Sequence, residues 1–541
     1  MEPRPGSPQF PGVLGQLGTQ QPGVRHNPIA LSGGGIATTN GHQPKWAKVL
    51  DKDRCIGCHA CTTACKSEND VPLEVTRTFV KYVDVGYWPQ TNRAFQVTRC
   101  NQCEDAPCVR ACPTSAMFMR PDGIVDFDKS ICIGCKACMA ACPYDAIFIN
   151  PDDHSAEKCN FCAHRLEMGL EPACVVVCPT EAILVGDIND PTSKVASIVN
   201  RNPVAVRRPE KETDPKVFYK GATQATLDPL VARRPSGDTY MWSEKHSGRG
   251  MVNSGHPERY NSSAAAVVSY DINHTAPWDW RVSLYTWTKG IAAGAYLIPL
   301  LLILVGAIET SSQLWRWVAP LSGLAGLAAT GGLLIWDLEH PERFYMIFTR
   351  PQWRSWLVLG GVIIFAYGIV LSVHLLFSLL GSAPPPALAV VGAPLALLTA
   401  IYTAYLFAQS RARDLWQSPL LAPHLVVQAL LLGAAVALLF DFLGDGEASG
   451  ELQLIVALAG IAHLLMIWGE ATLAHHTEHA RLAAWEMVRG SYAWFFWVGV
   501  ALVALGAGSA GVGPLGGVLA ATGLLAYEHT YVQAGQAVPL A

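Results

Sequence analysis

A chain of 541 residues that is 50% hydrophobic and only 15% charged is not an ordinary soluble protein, and its charged residues lie mostly in the first 280. Its formal net charge of −4 speaks against nucleic acid as a partner, because phosphate binding needs an excess of Lys and Arg. The two halves therefore require separate readings.

Residues 1–44 are rich in Pro, Gly and Gln. They lack a charged stretch followed by an apolar one, and they lack a twin-arginine pair, so no cleavable signal is expected. The composition predicts a disordered tail, or one that orders against a partner.

Residues 45–185 hold all sixteen cysteines, between Cys55 and Cys178. They fall into four groups. Cys55, Cys58, Cys61 and Cys65 are spaced C-x2-C-x2-C-x3-C, and Cys100, Cys103, Cys108 and Cys112 are spaced C-x2-C-x4-C-x3-C-P. Cys132, Cys135, Cys138 and Cys142 repeat the first spacing, and Cys159, Cys162, Cys174 and Cys178 are spaced C-x2-C-x11-C-x3-C-P. Disulfide frameworks rarely repeat such runs, and zinc sites use separated C-x-x-C pairs. An iron–sulfur cubane needs four thiolates converging from different directions, which three cysteines on a tight loop and one from elsewhere supply. Gly57 and Gly134 ease the turns of two loops. The fourth cysteine of each group is expected to start a short helix and to point toward a neighbouring cluster. Four thiolates per cubane give four [4Fe–4S] clusters with no thiol left over. Nothing in this zone reads as a substrate site, so it conducts electrons between sites located elsewhere.

The passages RCIGCHACTTACKSEN, RCNQCEDAPCVRACP and KCNFCAHRLEMGLEPACVVVCP resemble the four-cluster ferredoxin subunits of molybdopterin oxidoreductases of the dimethyl sulfoxide reductase, polysulfide reductase and formate dehydrogenase types. The resemblance implies an α+β ferredoxin-like domain of two pseudo-symmetric bicluster modules. It also implies a crossed pairing. Cys55, Cys58, Cys61 and Cys178 would hold one cluster, and Cys159, Cys162, Cys174 and Cys65 its neighbour. Cys100, Cys103, Cys108 and Cys142 would hold a third, and Cys132, Cys135, Cys138 and Cys112 the fourth.

Residues 186–280 read as an extended connecting segment made basic by Arg207, Arg208, Lys211, Lys216, Lys220, Arg233 and Arg234. It is either a solvated linker or an arm along a catalytic partner. Trp278, Trp280 and Trp287 mark the approach to a membrane, where indoles favour the interface.

Residues 281–541 predict an all-α polytopic membrane bundle of about eight helices, near 284–308, 318–336, 356–381, 387–408, 419–440, 452–474, 491–509 and 512–530. Only GAGSAGVGP splits the last two, so seven spans is the alternative. With an even number, both ends lie on one side. The loops of that side carry Arg343, Arg350, Arg354, Arg411, Arg413, Arg481 and Arg489, against Arg316 alone on the other. This predicts a bacterial inner-membrane protein with a cytoplasmic cysteine domain. Export with a signal-bearing partner would make that domain periplasmic, and basic loops would also dock an acidic partner.

The stretches WDWRVSLYTWTKGIAAGAYL, WDLEHPERFYMIFTRPQWRSW and IYTAYLFAQSRARDLWQSPLLAP are similar to the NrfD/polysulfide-reductase family of quinone-reactive membrane subunits. The resemblance implies quinone, menaquinone or ubiquinone, as the redox partner in the membrane. Quinone chemistry needs proton donors at the carbonyl oxygens. Arg281, Tyr285 and Lys289 recur on one face of the first helix, and ionisable groups at membrane depth are costly and read as functional. Tyr285 and Tyr402 fall where the family places quinone-binding side chains, although the family usually has a histidine at the position of Tyr285. Asp337, His340, Glu342 and Arg343 cluster at the same membrane side and either relay protons or dock the cysteine domain. His374, His424 and His463 lie in spans but show no pairing for haem b, so no haem is expected. The family also implies a separate catalytic subunit carrying a molybdenum or tungsten bis-pterin. The alternative is a molybdenum-free respiratory complex passing electrons from quinol to cytochrome partners.

Overall fold

The computed structural model describes residues 43–233, 266–444, 446–509 and 513–541. Everything below concerns Pro44–Ala541, which forms one compact unit. The expectations for the N-terminal tail, apart from its last two residues, and for Arg234 lie outside the described residues.

The cysteine-rich part is α+β, as expected. Trp46–Asp51 is a central strand, paired antiparallel with Ile183–Asp187 and parallel with Val217–Lys220, to which the short Val204–Ala205 adds. Ala47, Val49 and Leu50 are buried there. A second sheet pairs Thr78–Val85 with Asn92–Arg99 and with Val267–Tyr270. Two small hairpins, Met117–Met119 with Val125–Phe127 and Ile147–Ile149 with Ala156–Lys158, complete the domain.

Short helices follow the cysteine loops: Ala60–Glu68, Pro107–Ala111, Ala137–Ala141 and Ala173–Val176. They correct one local expectation. The third cysteine of each group, not the fourth, lies in the helix near its start: Cys61, Cys108, Cys138 and Cys174. The fourth comes one turn later: Cys65 is still inside its helix, Cys112 and Cys142 cap theirs, and Cys178 lies just beyond. A rise of about 6 Å over four helical residues then carries it toward the next cluster.

Residues 186–233 and 266–279 do not form an extended connection. Three of the strands above come from them. Several of their basic side chains are paired within the fold: Lys216 Nζ donates to Glu104 at 3.1 Å, Lys220 Nζ to Asp51 at 2.8 Å, and Arg207 Nη2 to the Leu540 carbonyl at 3.1 Å. Charge suggested solvation. The buried Val217 and Tyr219 alternating with those charges show a strand instead.

Among the described residues eight long helices follow: Trp280–Leu304, Leu314–Trp336, Trp356–Leu379, Pro386–Gln409, Leu421–Leu443, Ser449–Thr472, Ala493–Gly508 and Pro514–Ala537. Each coincides with one of the eight expected segments. The first six are long and apolar enough to cross a membrane. A seventh span is complete if the bent pair Glu478–Val488 and Ala493–Gly508 counts as one. The last helix buries polar side chains, including Glu528, Gln533 and Gln536, against its neighbours. The first and fifth helices touch backbone to backbone at Gly294 and Gly433, where a Cβ on Gly294 would lie 1.9 Å from the Ala429 carbonyl oxygen.

One apolar core joins the two parts. Ala111, Ala137, Ala140 and Ala141 of the cysteine helices pack with Trp278, Val282, Tyr285, Phe407 and Trp416 of the bundle. The cysteine domain is thus seated on the helical half through a buried seam with an apolar centre.

Candidate functional site

The sixteen thiols form no disulfide. One void is lined by Cys55, Cys58, Cys61 and Cys178, and another by Cys112, Cys132, Cys135 and Cys138. The remaining eight gather in the same crossed way. Cys65 has Cys159, Cys174 and Cys162 as its thiol neighbours, and Cys108 has Cys100, Cys142 and Cys103. Each quartet therefore takes three cysteines from one group and one from another.

Among the described residues no three His, Cys, Asp or Glu side chains converge on a point that would hold a single ion. The quartets surround space instead, as a polynuclear cluster requires when each iron takes its own thiolate. The donor set fits such a cluster. Backbone N–H groups of Met117, Ala156 and Ala182 point at Cys112, Cys132 and Cys178 at 3.4, 3.5 and 3.2 Å. Burial pushes Cys61 up to about 11 and Cys65 up to about 12, so thiolates there need cationic company such as iron. Burial also raises Cys174, but Arg99 and Lys48 overcome it and bring it down to about 7.

The quartets differ in position. Cys58 is exposed, and the side chains of Ile56 and Val176 beside this quartet are exposed and apolar. The Cys132, Cys135, Cys138 and Cys112 quartet faces the helical half. Loops of that half cap its carbonyls: Arg343 Nη1 donates to Lys129 O at 3.0 Å and Cys132 O at 2.9 Å. Ser355 donates to Ala111 O at 2.9 Å, the Gln352 N–H to Pro113 O at 2.8 Å, and Trp278 Nε1 to Cys135 O at 3.2 Å. These bonds satisfy backbone acceptors at the seam.

The six residues expected at a membrane redox site fall into two sets. Asp337, His340 and Arg343 lie on the seam. Asp337 contacts Lys136 Nζ at 3.5 Å, through Oδ1, and Arg281 at 3.5 Å. Burial pushes Asp337 up to about 6 against the pull of both cations. His340 Nε2 meets the Asp153 carbonyl at 2.9 Å and Nδ1 meets Glu342 at 2.9 Å. Three of the arginines counted in the loop bias are engaged likewise. Arg343 docks as described, Arg411 pairs with Asp105 at 3.0 Å, and Arg413 donates to the Gln536 and Val538 carbonyls.

Tyr285, Lys289 and Tyr402 lie together inside the bundle. Lys289 is 1% exposed, donates to Ala400 O at 2.9 Å and Thr403 Oγ1 at 2.6 Å, and stands 4.9 Å from the Tyr402 ring centre. The buried Tyr285 hydroxyl faces Tyr402 and Thr403 without a well-formed hydrogen bond. Asp337 is an electrostatic neighbour of both Tyr285 and Cys135.

Sequence reasoning missed several partners. Glu528 accepts from Thr286 Oγ1 at 3.0 Å and is a close electrostatic neighbour of Lys289. Its signal was an acid in an apolar helix. The Tyr527 hydroxyl donates to Glu470 at 2.9 Å. His424 Nε2 and His463 Nδ1, read as unpaired, are hydrogen-bonded at 2.7 Å. They stand on different helices, and spacing along one helix does not reveal such a pair.

Comparison with known proteins agrees with this division. Residues 91–188 match the 4Fe-4S dicluster domain, residues 46–67 a 4Fe-4S binding domain, and residues 269–507 the NrfD polysulphide reductase family. The chain is 43% identical to the tetrathionate reductase B component of Salmonella typhimurium over 208 residues, covering 37% of this chain and 80% of that one. It is 42% identical to the polysulfide reductase B component of Wolinella succinogenes over 32% of this chain and 93% of that one. It is 34% identical to the arsenate respiratory reductase iron-sulfur subunit of a Shewanella species over 32% and 94%.

Proposed function

The chain belongs to the 4Fe–4S electron-transfer subunits of the tetrathionate and polysulfide reductase kind, here fused to an NrfD-type membrane anchor, and from that premise we propose that it relays electrons through four clusters between a catalytic subunit and membrane quinone. The observation that carries this reading is the crossed set of quartets, the last of which faces the bundle end where Tyr285 shares the apolar core and Asp337 neighbours both Tyr285 and Cys135.

Four [4Fe–4S] clusters, when bound, supply one-electron steps at successive stations. The residues of the chain do the rest. The sixteen cysteines hold the stations, and the apolar seam excludes water between the last one and the bundle. Lys289 and Tyr285 present donors to a quinone carbonyl oxygen, and the Tyr402 ring forms a wall of the site. At the outer end, Ile56 and Val176 supply apolar surface for a catalytic partner, whose redox centre is proposed to be a molybdenum or tungsten bis-pterin. The names of the relatives, subunits of reductases, support such a partner.

The cysteine domain is proposed to lie on the cytoplasmic side. Setting the three docked arginines aside, Arg350, Arg354, Arg481 and Arg489 still oppose Arg316 alone. A green fluorescent protein joined to Ala541 should then fluoresce, whereas a periplasmic alkaline phosphatase signal there refutes the assignment.

Two measurements test the relay. Purified protein should contain about sixteen iron and sixteen labile sulfide per chain. A menaquinol or ubiquinol analogue should reduce its oxidised clusters, with Tyr285→Phe and Lys289→Met slowing this by roughly tenfold or more. Clusters that no quinol reduces would overturn the quinone reading.

A further inference from the structure

The last helix carries charge where a membrane helix is expected to be apolar. Glu528 is 4% exposed and lies between Thr286 of the first helix and Gln428 of the fifth. It also lies beyond residues 269–507, the part matched by the NrfD family. A buried carboxylate at membrane depth is costly unless it is paired or used. Lys289 gives it a charge partner, but Lys289 already belongs to the quinone site.

Depth along the helices orders these groups. Lys289 lies nine residues after Trp280, and Glu528 nine before Ala537, so both are about 13 Å below the end nearest the cysteine domain. Glu470 is two residues from Thr472, about 3 Å from the same end, and is half-buried. Tyr527 links the two levels: it precedes Glu528 on the helix and donates to Glu470 at 2.9 Å. Glu528 and Glu470 are electrostatic neighbours. The loop after this helix carries His475 and His476 on the cysteine-domain side, where Thr477 donates to Asp414 at 2.7 Å.

Two further observations point to mobile protons. The Tyr285 hydroxyl and His463 Nε2 are buried polar atoms without a hydrogen-bond partner. The His424–His463 pair flanks Tyr527, with ring centres at 5.4 and 5.0 Å. Buried polar groups left this way are costly to keep.

We infer that Glu528, Tyr527 and Glu470 form a proton route that joins the Tyr285–Lys289 site to the aqueous face on which the cysteine domain sits. The inference rests on the quinone reading. One quinol oxidised gives two electrons, one to each of two oxidised clusters, and two protons. Each quinol hydroxyl proton passes to Tyr285 as that phenol releases its own, or to Lys289 in its amine form; the Glu528 carboxylate takes the protons one at a time, and Glu470, which accepts from the Tyr527 hydroxyl, hands them to water. Quinone reduction runs the same steps backwards. Proton exchange is thereby tied to the cysteine-domain side of the membrane.

The test uses the full-length protein in detergent with oxidised clusters and a menaquinol or ubiquinol analogue, following cluster bleaching by stopped flow and proton release with a pH dye. Glu528→Gln and Glu470→Gln should slow both signals together by roughly a hundredfold, and Glu528→Asp should recover most of the rate. Electron paramagnetic resonance of dithionite-reduced clusters and binding of a quinone-site inhibitor should be unchanged. Rates within about twofold of wild type in both carboxamide variants would overturn the route. If wild-type clusters fail to bleach, the quinone reading itself falls, which is a different outcome. Should Glu528→Gln lose inhibitor binding through misfolding, the peripheral Glu470→Gln decides the matter.

Discussion

Arg99 Nη1 donates a hydrogen bond to Cys174 Sγ at 3.2 Å, and Lys48 Nζ approaches the same sulfur at 3.8 Å. Arg99 is 1% exposed and Lys48 is 0% exposed. Among the described residues neither pairs with a carboxylate, and Arg99 Nε and Nη2 have no protein acceptor. Two buried cations held this way need negative charge in front of them, which a thiolate-ligated cluster supplies.

The first prediction follows from that charge. Extra positive charge stabilises the more negative, reduced state of a cluster. Arg99→Met should therefore lower the midpoint potential of the cluster held by Cys65, Cys159, Cys162 and Cys174. Potentiometric titration followed by electron paramagnetic resonance measures this, and four unmoved potentials would refute it.

The second concerns the crossed quartets. Cys65 and Cys159 belong to one quartet, whereas Cys65 and Cys61 belong to two, although the second pair is closer in sequence. The Cys65→Ser/Cys159→Ser double variant should damage one cluster, and Cys61→Ser/Cys65→Ser two. Iron analysis and spin counting distinguish the outcomes, and equal losses would contradict the crossing.

The third concerns Gly134. Its φ is +67°, and a Cβ there would lie 2.4 Å from Glu339 Cβ in the loop that docks the cysteine domain. Gly169 has φ +73° with nothing within 4 Å. Both alanine variants incur backbone strain of about 1–3 kcal/mol. Only Gly134→Ala must also push the two halves apart, so it should show the larger loss in thermal stability and in protease resistance at the seam. Equal effects would mean the contact carries no weight.

The fourth is a pH dependence. Burial alone would lower His274, but Asp271 and Asp145 raise it to about 9, with Asp145 at 2.5 Å from Nδ1. A histidine raised above its unfolded value adds stability that is complete below about 6.5 and is lost as pH rises through about 9. The full amount is on the order of 3 kcal/mol. Hydrogen exchange of strand Val267–Tyr270 should accelerate between those limits beyond its intrinsic pH dependence, and His274→Gln should abolish the excess.

Much of the cysteine domain was legible because ligand spacing is a local property. Gly57 and Gly134 adopt the positive φ that their loops required. The apolar runs located the helices for the same reason, since a membrane span declares itself by length and composition. Residues 186–233 were misread because a strand that adds to a distant sheet has no local mark beyond a short alternation. Charge on Lys216 and Lys220 pointed outward, while Glu104 and Asp51, more than a hundred residues away, waited inside the fold.

The inventory is written in the chain: sixteen thiols in four groups, a run of apolar helices, and a few ionisable groups at membrane depth. Which of these meet is a matter of how the elements pack. That packing paired the first cysteine group with the fourth and the second with the third. It turned Asp337, His340 and Arg343 toward the cysteine domain, and it set Glu528 of the last helix beside Lys289 of the first. The reason is physical. Ligand spacing and hydropathy act within a few residues of chain, but a contact between helices depends on how their faces pack, and residues 289 and 528 share nothing local that would record it.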